Sequence, residues 1–233
     1  MISPDTIGRN LERIRTRIAA AAARAGRRAE EVTLVAVTKS VSAQEVRVLH
    51  DLGVRDFGEN RVQELQRKQE VLPGLPARWH LIGHLQTNKV RKVVGAVEML
   101  HSLDSIRLAE ALEREAATRA LVLPCLVEVN VSGEESKGGL PPDWLDPLLD
   151  AAAGMPHLRI AGLMTMAPLS DDPGASRPVF RRLREIRDAA SSRRAGNAAL
   201  THLSMGMTRD FEVAIEEGAD LVRIGTALFE ETP

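Results

Sequence analysis

The stretch Thr33-Leu34-Val35-Ala36-Val37-Thr38-Lys39 is apolar at four successive positions and then ends on a hydroxyl and an amine. A strand with one wet face alternates; a strand buried on both faces does not, and continuous apolar runs mark the parallel sheets of α/β proteins. The run is bounded on its far side by Ser42-Ala43-Gln44-Glu45, the pattern of a capping box that opens a helix, and Gly53 ends that helix. Strand, polar turn and helix in that order is half of a βαβ unit.

The same unit recurs along the chain. Strand-like runs are expected at Thr33–Thr38, Asp56–Gly58, Trp79–Gly83, Met99–Leu103, Cys125–Val131, Ile160–Met166, His202–Met207 and Leu221–Ile224, with helical patterns between them. Phe211, Ile215 and the stop at Gly218 mark the seventh crossover helix. Ahead of the first strand, Ser3-Pro4 opens a helix as N-cap and first helical residue, and Ile7, Leu11, Ile14 and Ile18 give it one apolar face. Eight strands and seven or eight crossover helices in 233 residues fit a single (β/α)8 TIM barrel with an extra N-terminal helix, spanning 1–233 as one domain. An open doubly wound sheet is the alternative, because counting elements does not prove closure.

Composition narrows the function. Basic and acidic residues balance at 31 and 32, which argues against a nucleic-acid surface as the main business and leaves room only for local patches. No apolar run has membrane-spanning length and no signal peptide is evident, so a soluble cytoplasmic protein is expected. The lone Cys125 excludes internal disulfides and cysteine metal clusters and is expected in the core. His80 and His84 are four apart but fall on a strand and its loop, so zinc is not expected. Asn130-Val131-Ser132 matches a glycosylation acceptor by chance. Neither a Walker loop nor a dinucleotide glycine fingerprint occurs. Tyrosine is absent, which removes any catalytic phenol.

In a barrel the chemistry sits where strands end. Those positions hold Thr38-Lys39, Glu59-Asn60, Gly83-His84, Asp104, Asn130, Thr165-Met166, Ser204-Met205-Gly206 and Arg223-Ile224-Gly225-Thr226. Five lysines stand against 26 arginines, so each lysine invites the question of what an amine does that a guanidinium cannot. Apolar walls favour a neutral amine, which attacks aldehydes. For Lys39 that reading stands beside the plainer one of a solvated charge at a strand end. Lys68, Lys89 and Lys92 fall in charge-rich helical patterns and are expected on the surface; Lys137 lies in the polar loop Gly133–Gly139. Ser204, Gly206, Gly225 and Thr226 are small or hydroxylic on the two strands whose loops usually bind phosphate in this fold. Arg223, inside an apolar strand, needs a partner: Glu128, Asp220 or a ligand atom.

These segments resemble one known family. Leu34–Lys39, Phe57-Gly58-Glu59-Asn60 with Val62-Gln63-Glu64, Trp79–Lys89, Val129–Lys137, Gly162–Met166, Leu203–Met207 and Arg223–Thr226 are similar, in order, to the pyridoxal phosphate homeostasis proteins. The resemblance implies a barrel like the N-terminal domain of alanine racemase. It implies that Lys39 carries pyridoxal 5'-phosphate as an imine, that Ser204, Gly225 and Thr226 hold the phosphate, that Arg223 faces the pyridine nitrogen, and that Asn60 lies near the ring, with Gly206 also among the cofactor-binding residues. Arg61 stands where the family often has tyrosine and Glu230 where it often has glycine; both are expected away from the cofactor. An arginine beside the pyridine nitrogen disfavours its protonation and makes the ring a weak electron sink. The expectation is therefore a monomeric carrier that buffers this vitamin B6 cofactor and delivers it to apoenzymes, with no catalytic residues and no metal. An amino-acid racemase or lyase is the alternative, and racemases of this fold use a tyrosine from a second domain that this sequence does not offer. A phosphosugar-binding barrel would leave Lys39 and Arg223 unexplained.

Overall fold

The computed structural model describes residues 2–134, 137–193 and 200–230. Eight parallel strands form a closed barrel in chain order: β1 (Thr33–Val37), β2 (Asp56–Glu59), β3 (Arg78–Leu81), β4 (Met99–Leu103), β5 (Leu123–Glu128), β6 (Leu158–Met164), β7 (His202–Ser204) and β8 (Leu221–Ile224). The pairing that decides between barrel and open sheet joins β1 to β8, with Thr33 beside Leu221 and Ala36 beside Ile224. The expected strands hold at Met99–Leu103 and Leu221–Ile224. Several others end two or three residues earlier than expected, because Val131, Met166, Met205 and Met207 continue the apolar run into the loops that form the barrel mouth.

Outside the strands lie α1 (Pro4–Arg24), α2 (Ala43–Asp51), α3 (Val62–Val71), α4 (Ile106–Thr118), α5 (Leu145–Ala152), α6 (Arg177–Arg193), α7 (Phe211–Glu216) and α8 (Thr226–Phe229). Ser3 caps α1 by accepting from the Thr6 N–H, and both bonds of the Ser42–Glu45 capping box on α2 are made. Gly53 and Gly218 follow their helices at φ +92° and +98°, a conformation that only glycine adopts without strain. The β3–β4 connection departs from expectation. It holds a 3-10 segment, Thr87–Lys92, instead of an α-helix, and buries Val90, Val93 and Val94 before Gly95 turns the chain at φ +78°. Crowded β-branched residues weaken helical propensity there.

α8 is a single turn and cannot cover the barrel alone. α1 completes the outer ring by packing on α7, α8 and α2, with Ile7, Leu11, Ile14 and Ile18 all buried. Each such side chain contributes roughly 1.5–3 kcal/mol of burial. Asn10 of α1 donates to the carbonyls of Leu228 and Glu230 at 3.2 and 2.9 Å, tying the helix to the end of α8. Among the described residues, no helix is long and apolar enough to cross a membrane.

Candidate cofactor site

At the C-terminal end of the barrel lies a cavity of about 530 Å³. Lys39, Asn60, Arg223, Gly225 and Thr226 line it, so five of the seven residues expected at the site share one space. Ile82, Met166 and Pro168 supply apolar wall. Ser204 and Gly206 are not among the described lining residues; they sit one step deeper and hold Arg223 in place. Arg223 NH1 donates to Ser204 Oγ at 2.6 Å, and the Arg223 backbone N–H donates to the Gly206 carbonyl at 3.0 Å. Gly206 has φ +90°, and a Cβ there would lie 2.5 Å from Ala214 Cβ, so packing against α7 demands the glycine. Gly225 has the same kind of reason: a Cβ would lie 3.0 Å from the Val37 carbonyl oxygen.

Arg223 is 4% exposed. Its NH2 donates to the Thr165 carbonyl at 2.9 Å. Neither carboxylate expected as a partner hydrogen-bonds it. Asp220 is spent on His202 Nδ1 and the Leu203 N–H, near the opposite end of the barrel. Glu128 acts on it only through the field. Burial pushes the Glu128 carboxyl up to about 7, against the pull of Arg223 and with Asp104 adding to the rise. Burial likewise pushes Arg223 down to about 10, opposed by Glu128 and Asp210. A buried cation bonded to two neutral oxygens at a cavity wall is a ready partner for an electron-rich ligand atom.

Lys39 is arranged in the opposite way. It lies on the turn after β1 and is exposed, so the apolar shielding expected of it is not what the fold provides. Lys68 was expected on the surface and is 1% exposed. It sits on the buried face of α3 with Val62 and Leu65, a three-residue spacing legible in the sequence. Its ammonium bonds Glu59 and the Thr38 carbonyl, while the Thr38 hydroxyl donates to Glu59 Oε1 at 2.6 Å. The backbone immediately before Lys39 is thereby anchored to a buried ion pair. Glu230 was expected away from the site but lines the cavity, because the one-turn α8 returns the chain to the mouth. Arg61 heads α3 and lines a neighbouring depression with Lys39 and Asn60.

The polar loop expected around Lys137 folds on Asn130, whose amide donates to the Glu134 and Lys137 carbonyls and whose oxygen accepts from Ser132 and Gly133. Glu135 and Ser136 of that loop lie outside the described residues. His84 pairs with Asp104 at 3.0 Å on the rim. Cys125 is buried as expected, and burial pushes its thiol up. His101 went unnoticed in the sequence; its place two residues after Met99 on β4 turns it into the barrel.

The family profile described as "Alanine racemase, N-terminal domain" matches residues 9–233. A pyridoxal phosphate homeostasis protein of Aquifex aeolicus is 47% identical over 221 residues, 95% of this chain and 96% of that one. The chain belongs to the pyridoxal phosphate homeostasis protein family. The solved structure of the family member PipY from Synechococcus elongatus, with PLP bound, superposes with a TM-score of 0.84 at 34% identity, covering 96% of this chain and 100% of that one. Alanine racemase from Corynebacterium glutamicum shares the fold at a TM-score of 0.75 and 18% identity, and this chain covers 63% of it.

Proposed function

We propose that this protein binds pyridoxal 5'-phosphate through Lys39 and passes it to apoenzymes, acting as a cytoplasmic monomer and as one barrel domain over 1–233. The observation that carries the reading is the meeting of Lys39 and Arg223 in one cavity, with the small residues Gly225 and Thr226 beside them. The residues fit the group: an amine for the aldehyde, a buried cation for the ring nitrogen, and glycine backbone where an anion must approach closely. The cavity volume suits a small molecule of this size.

When bound, the cofactor supplies an aldehyde that condenses with primary amines. Lys39, being exposed on a turn, would form that link and leave it open to a competing amine from outside. Arg223 would orient the ring and keep its nitrogen unprotonated, which would limit stabilisation of a carbanion. Racemisation also needs a base on each face within hydrogen-bond reach. His202 is near the opposite end of the barrel, paired with Asp220, and Cys125 is buried. These placements support a carrier without useful turnover.

The test is reduction with borohydride followed by peptide mapping. The adduct is expected on Lys39 and lost in Lys39→Ala; an adduct solely elsewhere, or none, overturns the reading. One observation favours the enzyme alternative: Glu128, a buried carboxyl near neutrality facing Arg223, has the character of an acid or base. Loaded protein incubated with L-alanine in deuterated water is expected to give negligible α-deuterium. Exchange that depends on both Lys39 and Glu128 would make this an enzyme.

A further inference from the structure

The two described side-chain hydrogen bonds of Arg223 go to neutral oxygens, the Thr165 carbonyl and Ser204 Oγ. A carbonyl oxygen has only lone pairs to offer. A hydroxyl rotates, and it can turn either a lone pair or its proton toward a neighbour. What Ser204 presents to the guanidinium therefore depends on its other partner. Ser204 is fully buried on β7, and that partner is His101 Nδ1 on β4, at 3.0 Å.

Hydrogen-bond accounting gives that bond its direction. Arg223 only donates, so at 2.6 Å it takes a lone pair of Ser204 Oγ. The hydroxyl proton then has one described place to go, His101 Nδ1, which must be bare. A neutral His101 carries its proton on Nε2 and donates it to His80 Nδ1 at 2.9 Å. His80 donates in turn from Nε2 to Asp56 at 3.0 Å. The far end agrees. Arg78 grips Asp56 with two bonds of 2.8 and 2.6 Å. Burial opposes ionisation there, yet Arg78 and His80 hold the Asp56 carboxyl below its usual range, so it accepts.

Every proton of the chain then meets an acceptor, from the cation at the cavity wall to the carboxylate on the far side. Were His101 to donate to Ser204 instead, the hydroxyl proton would be buried with no described partner, which is costly. Burial, with the fields of His80, Arg223 and His202, also holds His101 well below the ordinary imidazole range, in keeping with a neutral ring. Ser204 and His101 are not among the described lining residues of the cavity, whereas Arg223 is. The two reach the cavity only through Arg223.

We propose that His101 is a positioning residue for Arg223: by accepting the Ser204 proton it turns the hydroxyl's lone pairs onto the guanidinium and fixes that side chain at the cavity wall. Without His101 the hydroxyl is free to rotate its proton toward Arg223, and one of the two bonds that hold the buried cation is lost. The arrangement is a property of the unloaded barrel. Its effect on PLP rests on the proposed function of the cavity.

Two substitutions separate this role from packing. His101→Leu and His101→Asn both give up the bond to His80, but the asparagine oxygen stands where Nδ1 stood and still accepts from Ser204. Hydrogen exchange of the Arg223 side-chain N–H groups, followed by NMR in unloaded protein, is expected to be about fivefold faster in His101→Leu, the loss of one hydrogen bond, and near wild type in His101→Asn. The dissociation constant for PLP is expected to rise by about the same factor in His101→Leu and to recover in His101→Asn. In a Ser204→Ala background, where the acceptor is already gone, His101→Leu is expected to change neither reading further. Unchanged exchange in His101→Leu, equal defects in both variants, or a full further effect beside Ser204→Ala each overturn the proposal. Should His101→Leu not fold, nitrogen-15 spectra of wild-type histidines decide: His101 is expected to be neutral and bare at Nδ1, and a proton on Nδ1 overturns the proposal. Wild-type protein that binds no PLP while the exchange rates follow this pattern overturns the functional reading and supports the positioning.

Discussion

The two walls of the cavity are built on opposite plans. On the β1–β2 side, Lys39 is exposed on a turn, and what is rigid lies behind it: the buried Lys68–Glu59 pair that grips the preceding Thr38 carbonyl. On the β7–β8 side, Arg223 is itself buried and held from below by Ser204, Thr165 and Gly206. A group that forms and surrenders a covalent link gains from freedom; a group that orients a ring gains from fixity. The difference teaches that, on the proposed function, the covalent link and the orientation of the ring fall to different walls, and each can be perturbed separately.

The largest expected effect falls on the wall whose lysine is exposed. Lys68→Ala leaves Glu59 as an uncompensated buried carboxylate, whose own Oε2 already has no hydrogen-bond partner. Breaking one side of a buried pair costs about 3–5 kcal/mol. Urea unfolding is expected to show a loss of that order, and PLP capture is expected to fall even in protein that remains folded. A loss below about 1 kcal/mol, the range of an exposed pair, would mean that the support is dispensable.

How much of this was legible differs between the walls for the same reason. Lys39, Arg223, Gly225 and Thr226 stand at strand ends, where chain order alone assigns them to the mouth, and the two faces of β1 announced a buried parallel strand. Lys68 was not legible by type, because lysine on a charge-rich helix reads as solvated; only its three-residue spacing from Val62 and Leu65 betrayed it. The role of Ser204 was legible only in part. Its position near the phosphate loops could be read, but its bond to His101 joins β7 to β4 across the barrel, and no local pattern encodes a contact between residues 103 apart. Glu230 was misplaced because the length of α8, a single turn, sets where the chain re-enters the mouth.

The next effect is read through pH. Glu128 has a folded pKa raised to about 7 from an ordinary 4.5. Its neutral form is favoured in the native state, so this contribution to stability is fully present below the unfolded value and is lost as pH rises through about 7. The full span is worth on the order of 2–3 kcal/mol. Glu128→Gln removes it. Wild type is expected to lose stability relative to Glu128→Gln between pH 5 and pH 8, by roughly that amount. A flat difference across that range would mean the carboxyl is hydrated. The Arg223 wall would then be less dry than its burial implies.

The smallest effect probes the place where the walls touch. Gly225, beyond the end of β8, faces Val37 at the end of β1, and a Cβ built on it lies 3.0 Å from the Val37 carbonyl oxygen and 3.2 Å from Val37 Cβ. Both neighbours belong to a strand end and can yield only a few tenths of an ångström. Gly225→Ala should therefore fold, at a cost of about 1 kcal/mol from crowding. Spreading β8 from β1 also moves Arg223 and Thr226 relative to Lys39, which a two-point ligand registers more strongly than the fold does. PLP, which the proposed function holds at both walls, is expected to bind the variant several-fold more weakly, while the borohydride-fixed adduct still forms on Lys39 when the ligand is in excess. Affinity that falls no further than stability would show the two walls to be independent. An adduct lost altogether would show instead that Lys39 depends on the β8 wall for its reach.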